Sequence, residues 1–275
     1  MTAAIRPPEG LCRLPQFRPV ALKLLKLVSN EDADFGQVAN LLASDPAFSA
    51  EVLAMANSPL YCTSSRATSL TRAIIVLGLE RTRSLTLTVA LQAFVGNVQI
   101  TVELQNSWRH SLACASVAER LAPLYGISAD RGYTAGLMHD LGRLGLLKAY
   151  PRPYALLLNG VYETVGQILQ AECLQFQVDH CGAGLWLMRS WGFPEELLSI
   201  AAHHHSCRFG RDQGLTGLAG AACLLADLLG FQSVNCSMST GIAALMQEMP
   251  GEPHFDLEEL RGNIVERLLA LDVAA

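Results

Sequence analysis

Two stretches of the chain place groups that bind metals or move protons inside apolar surroundings. GLMHDLGRLGL (136–146) sets His139 beside Asp140, and LLSIAAHHH (197–205) ends in three histidines. His110, His180 and Asp227 each add a donor, from SWRHSLACAS, VDHCGAGL and CLLADLLG. Imidazole and carboxylate suit zinc, iron or manganese. The seven groups His110, His139, Asp140, His180, His203, His204 and Asp227 could share one or two such ions. An ion held this way lowers the pKa of a bound water and clamps a phosphoryl oxygen, so the chemistry would be metal-dependent phosphoester hydrolysis. Without an ion, the same groups make a buried hydrogen-bonded network that fixes how helices pack.

Helical spacing aims these groups inward. Residues three, four and seven apart share a helix face. From His110 that face carries Cys114, Val117 and Leu121, and from His180 it carries Ala183, Gly184, Leu187 and Met188. His204 follows Leu197 and Ile200, and Asp227 follows Cys223 and Leu224. Desolvating a bare carboxylate is costly, so Asp227 must be paired, hydrogen-bonded or bound to a cation. A single inward histidine is more often a satisfied core residue than a ligand, and His180 alone would read that way. What points to a site is the collection within one helical block. Other polar residues have plainer readings. His205 reads as a helix-end residue, His254 as a surface residue of a polar tail, and Glu172 as a surface or pocket-rim carboxylate. Cys114 and Cys223 read as small hydrophobes on inward faces.

The elements that must position these groups are helices. With 51% apolar and only 16% charged residues, the chain has the makings of a large buried core, which excludes disorder. The net charge of −5 excludes a global basic field for nucleic acid or anionic membrane. Residues 1–19 read as an extended lead-in. Helices follow in VALKLLKLV, FGQVANLLA and SDPAFSAEVLAMANSP, where Asp45 caps a helix that starts at Pro46. TSLTRAIIVLGLERTRSLTLTVAL reads as helix, Gly78 turn, helix. Beyond residue 102, further amphipathic helices are punctuated by glycine and proline. VGNVQITVEL (95–104) is the one strand candidate. LTGLAGAACLLADLLGF (215–231) is short for a bilayer and carries Asp227, so it reads as a buried helix. Eight cysteines without a C-x-x-C pair, and an N-terminus without an apolar segment, point to reduced thiols in a cytoplasm.

The order His110, His139-Asp140, Asp227 resembles the H…HD…D arrangement of the HD phosphohydrolase superfamily. LPQFRPVALKLLKLV, SDPAFSAEVLAMANSPLY and TSLTRAIIVLGLERTRSLTL resemble the N-terminal half of the HDOD (HD-related output) domain. AGLMHDLGRLGLL, the Glu172-x7-His180 pair, WGFP and His203-His204 resemble its second half. The resemblance implies an all-α, two-lobed HDOD fold over 14–229. A helical N-terminal lobe would span 14–101, an HD-like helical lobe 102–229, and a C-terminal extension 230–275. It also implies a bacterial regulatory module acting on signalling proteins rather than an enzyme.

The chain is less similar to the HD-GYP phosphodiesterases. Its seven donors match their metal-ligand order, but the segment after the histidines reads HHHSCRFGRDQG, without a GYP motif. Arg143 stands where the family has lysine; it could still meet a phosphate, though not as an equivalent. The alternative is therefore a metal-dependent phosphohydrolase acting on a nucleotide or cyclic dinucleotide. A DNA-reading role for the Gly78 helix pair is disfavoured, because LTLTVALQAF is built for burial rather than for meeting base edges.

Overall fold

The computed structural model describes residues 8–28, 33–58, 61, 66–96, 101–206, 208–210, 214–237, 241–251, 253 and 255–272. These are helical almost throughout, so the protein is all-α. They form two compact units, one drawn from 16–96 and 258–275, the other from 1–15 and 97–257. No described helix is long and apolar enough to cross a membrane.

The lead-in is not wholly extended. Glu9–Cys12 form a short helix, α1, entered from Pro8 and braced by a pair between Arg13 and Glu9 one turn apart. The smaller unit contains α2 (Pro19–Val28), α3 (Phe35–Ala43), α4 (Pro46–Ala56), α5 (Leu70–Leu77) and α6 (Leu79–Gly96). Asp45 accepts from the Phe48 amide at 3.0 Å, so the capped start at Pro46 forms as the sequence specifies. α6 packs on α2, α4 and α5. Its residues Thr82–Leu91 are all buried, polar ones included. Burial is tolerable because Thr82, Thr86 and Thr88 each donate to the carbonyl four residues back, at 2.7–2.9 Å. A helix spent on core in this way presents no recognition face along that stretch.

The larger unit contains α7 (Val102–Leu121), α8 (Ala129–Met138), α9 (Leu141–Ala149), α10 (Pro151–Leu158), α11 (Val165–Phe176), α12 (His180–Trp191), α13 (Glu195–His203), α14 (Gly214–Leu228) and α15 (Ile242–Glu248). The last helix, α16 (Leu257–Asp272), groups from residue 258 onward with the smaller unit and buries Leu260, Ile264, Leu268 and Leu271. The strand candidate at 95–104 does not pair among its described residues: 95–96 close α6, Thr101 caps α7, and 97–100 lie outside the described residues. The described strands are instead β1 (Val161–Tyr162) and β2 (Asn235–Cys236), joined in parallel.

Two glycines set how closely the site-bearing helices approach. α7 packs on α8 and α14, and α12 packs on α9 and α13. A Cβ on Gly136 of α8 would enter the Cys114 carbonyl of α7, and one on Gly142 of α9 would enter the His180 carbonyl at the head of α12. Backbone, unlike a flexible side chain, cannot swing aside. We expect Gly142→Ala to destabilise the protein by about 2 kcal/mol or more despite its gain in helix propensity. Gly262→Ala, in open space on α16, should be neutral or stabilising. Urea unfolding of the two variants checks this.

Candidate functional site

The polar residues of the larger unit converge from eight successive helices, α7 to α14. His110 and Cys114 sit one turn apart on α7; Cys223 and Asp227 sit one turn apart on α14. His139 and Asp140 occupy the break between α8 and α9, and Asp140 leaves regular helix geometry at φ −108°, ψ 26°. Arg143 lies one turn into α9, Tyr154 on α10 and Glu172 on α11. Asp179 caps α12 by accepting from the Gly182 amide at 2.7 Å, which fixes His180 as the first helical residue. His204 and His205 follow the end of α13.

Five imidazoles form a continuous row that closes on itself at one end, where the His204 and His205 centroids are 4.1 Å apart. Ring centroids are 5.3 Å apart for His110–His139, 4.9 Å for His139–His204, 5.6 Å for His204–His180 and 5.1 Å for His180–His205. His203 is not in it: the side chain is exposed and its Nδ1 donates to the Ser199 carbonyl at 3.1 Å. Of the three successive histidines, His204 and His205 therefore face the site. His254 lies outside the described residues.

The end of the row at His180 is a charged network. Glu172 is fully buried, not a rim carboxylate. It accepts from Tyr154 Oη at 2.6 Å, the His180 amide at 2.8 Å and His180 Nδ1 at 2.7 Å. Arg143, 4% exposed, donates from Nε to Asp140 Oδ2 at 2.7 Å, and its Nη1 is 3.6 Å from Glu172 Oε1. Its Nη2 and His205 Nε2 both meet His180 Nε2, at 3.2 and 3.0 Å. Burial alone would raise the Asp140 pKa, but the Arg143 charge, helped by the histidines, holds it well below the usual carboxylate range. Sequence periodicity missed Glu172 because α11 exposes most of its neighbours; the only signal was its spacing from His180.

The other end holds a carboxylate–imidazole pair and two thiols. His110 Nδ1 donates to the Phe231 carbonyl at 2.9 Å and lies 3.3 Å from Asp227 Oδ1. Burial opposes charge on His110, yet the Asp227 carboxylate carries its pKa up to about 10; burial in turn lifts Asp227 to about 7. His110 Nε2 faces the thiols, 3.4 Å from Cys114 Sγ and 3.6 Å from Cys223 Sγ. His139 Nδ1 donates to the Gly136 carbonyl at 2.7 Å, which leaves its Nε2 lone pair free. Among the described residues, buried His139 Nε2 and Asp140 Oδ1 have no hydrogen-bond partner. Orphaned acceptors in a buried interior are what a cation would satisfy.

Among the described residues two donor sets could hold a metal: the buried His110, Cys114, His139 and Cys223, and His180, Cys181, His204 and His205, of which His205 is half-buried. Each offers atoms within 4.8 Å of one another. Of the histidines expected as ligands, His110 and His139 fall in the first set, His180 and His204 in the second, and His203 in neither. Asp227 meets the outer nitrogen of His110, and Asp140 bridges toward Arg143. The two cysteines read as inert hydrophobes lie beside imidazole nitrogen. Their signal was spacing: each stands four residues from an inward polar group on its own helix.

A buried histidine–aspartate centre in an all-helical frame defines the class of protein. The family model for the HDOD domain matches residues 14–207, and the chain belongs to that family. Its fold is similar to that of an HDOD domain protein of unknown function from Geobacter sulfurreducens. The TM-score is 0.70 at 22% identity, over 96% of this chain and 94% of that one. A candidate phosphohydrolase from Shewanella amazonensis SB2B gives a TM-score of 0.65 at 21% identity, covering 97% of each chain. A candidate signal transduction protein from Marinobacter aquaeolei VT8 gives 0.69 at 20%, over 99% of this chain and 62% of that one. No curated protein matches the chain.

Two measurements follow from this geometry. Glu172→Ala strips the acceptor from Tyr154, His180 and Arg143 together and should cost about 3–5 kcal/mol in urea unfolding, whereas Glu172→Gln, which keeps an acceptor, should cost less. His204 is held down to about 3, chiefly by burial and then by His139, against an unfolded value near 6.5. The unfolded chain therefore binds the extra proton, and stability is lost as pH falls from about 6.5 toward 3, at up to about 1.4 kcal/mol per pH unit. The stability difference between wild type and His204→Gln should shrink across that window and stay flat above it. Denaturant titrations at stepped pH read this out.

Proposed function

We propose that the chain is a regulatory HDOD module of bacterial signal transduction, acting through protein partners in the cytoplasm, and that its HD-type pocket is not a hydrolytic centre. The observation that carries this reading is Arg143. A guanidinium has five donors and no acceptor. Lying on Asp140 Oδ2 and against Glu172 and His180, it supplies the positive charge that the pocket's carboxylates require. On this reading Arg143 is a counter-ion for the protein's own carboxylates, not a contact for a phosphate. Hydrolysis would need these groups turned toward an ion, and an open position for water and the phosphoryl group. Here Glu172, His180, His139, Asp140, Arg143, His110 and His204 are all buried. The free thiols among the described cysteines suit a reducing compartment, and the Marinobacter structure carries a signal-transduction name.

A second reading, a metal-dependent phosphohydrolase of a nucleotide or cyclic dinucleotide, is favoured by His139 Nε2 and Asp140 Oδ1, which have no hydrogen-bond partner, and by the name of the Shewanella structure. A bound iron, manganese or zinc ion would there acidify a water, with His110, His139, Asp140 and Asp227 the expected holders of one ion and His180, His203 and His204 of a second. In that case Asp227 and His203 would have to turn from their present partners.

The two readings separate in one assay series. The full chain, loaded in turn with manganese, iron and zinc, is offered a chromogenic phosphodiester, nucleotides and cyclic dinucleotides. We expect no turnover above that of His139→Ala. Metal-dependent turnover that disappears in His139→Ala would overturn the regulatory reading.

A further inference from the structure

We propose that His110, Cys114, His139 and Cys223 form a closed, four-coordinate zinc site that clamps α7, α8 and α14 together. This inference rests on the regulatory reading, because the hydrolytic reading assigns the same His110 and His139 to a catalytic ion, and the thiolate signature tested below tells the two ions apart. It differs from the imidazole–carboxylate set in its chemistry, because two of its donors are soft sulfurs.

Distance carries the first part. In a tetrahedral site with zinc–sulfur bonds near 2.3 Å and zinc–nitrogen bonds near 2.1 Å, neighbouring donors stand about 3.3–3.8 Å apart. The two thiols lie 3.4 and 3.6 Å from His110 Nε2, and all four donors fall within 4.8 Å of one another. These atoms already have roughly the spacing an ion would impose.

Orientation carries the second. His139 Nδ1 is spent on the Gly136 carbonyl, so its buried, partnerless Nε2 is the donor it can offer. His110 Nδ1 is spent on the Phe231 carbonyl with Asp227 beside it. An imidazole whose outer nitrogen is held by a carbonyl or carboxylate is the usual arrangement around a bound metal. Asp227 is therefore a positioning residue here, on the far side of the His110 ring from the thiols. The second donor set is less ready, since His180 Nε2 already meets Arg143 and His205.

The donor set also chooses the ion and its role. Tetrahedral two-sulfur, two-nitrogen coordination favours zinc over the oxygen-seeking manganese. Four protein ligands leave no open position for water, which is the mark of a structural rather than a catalytic site. On binding, each thiol releases its proton to solvent and ligates as thiolate.

The test uses the full chain, reduced with a non-chelating phosphine, and cobalt(II) and zinc(II) as probes. Wild type should bind cobalt with thiolate-to-cobalt charge transfer and the intense visible bands of a tetrahedral ion, and zinc should displace it. Cys114→Ser and Cys223→Ser should each remove about half of the charge-transfer intensity, while Cys181→Ser should leave it intact. Asp227→Asn should keep the band and weaken zinc by about 10- to 100-fold. The wild-type spectrum needs no variant to fold. Failure to bind either ion, a spectrum without thiolate character, or a band that depends on Cys181 instead would overturn the proposal.

Discussion

Closing Asp140 and Glu172 into an apolar interior is tolerable because Arg143 reaches both, with Tyr154 and His180 completing the partners of Glu172. Each carboxylate sheds its water on folding, and the surrounding leucines cannot replace it. Arg143 Nε binds Asp140, its Nη1 faces Glu172 and Tyr154, and its Nη2 faces His180. One guanidinium thereby links four helices, α9 to α12, through atoms that cannot slide without exposing a charge to hydrocarbon. A buried ion network is not by itself a source of stability, since well-packed apolar residues do as well or better. What it imposes is a register: α11 and α12 have one arrangement in which Glu172 meets both the His180 amide and its ring.

The histidine row distributes charge in a related way. At one end Asp227 compensates His110; at the other Asp140 and Glu172 compensate Arg143. In between, burial keeps the His204 pKa down at about 3. Charge collects at the two ends and a neutral imidazole lies between them. Thiols stand beside one end only, at His110, where a bound soft cation would take the place of the proton on Nε2. The row therefore has two unlike halves, one whose charges are satisfied by the protein's own arginine and one whose donors are left over.

Much of this was legible in the residues. Helical periodicity placed His110, His180 and Asp227 on inward faces, and Asp227 inside CLLADLLG required a partner before any partner was known. Caps and breakers did the same for the elements, as at Asp45-Pro46. Three things were not legible, for physical reasons. Three histidines in a row at a helix end point roughly 100° apart, so sequence cannot say which two face inward; the end of α13 turns His204 and His205 in and His203 out. Glu172 is polar within an exposed stretch of α11, and only the Arg143–His180 network buries it. Cys114 and Cys223 are ambiguous as residue types, since a thiol is both a small hydrophobe and a ligand, and the packing of α7 on α14 is what brings them together.

The two halves are joined by consecutive residues. His139 belongs to the thiol half and Asp140 to the arginine half, and both leave the chain at the break between α8 and α9. Gly136 and Gly142 flank that break three residues before His139 and two after Asp140, and each presses its backbone against a neighbouring helix. The break is thus held from both sides by contacts that a side chain would destroy, while its two functional groups act in opposite directions. Whatever fixes His139 Nε2 constrains the backbone that carries Asp140, and with it the orientation of Arg143. A centre built this way couples its parts through a covalent bond and two close helix contacts, and needs no open channel to do so.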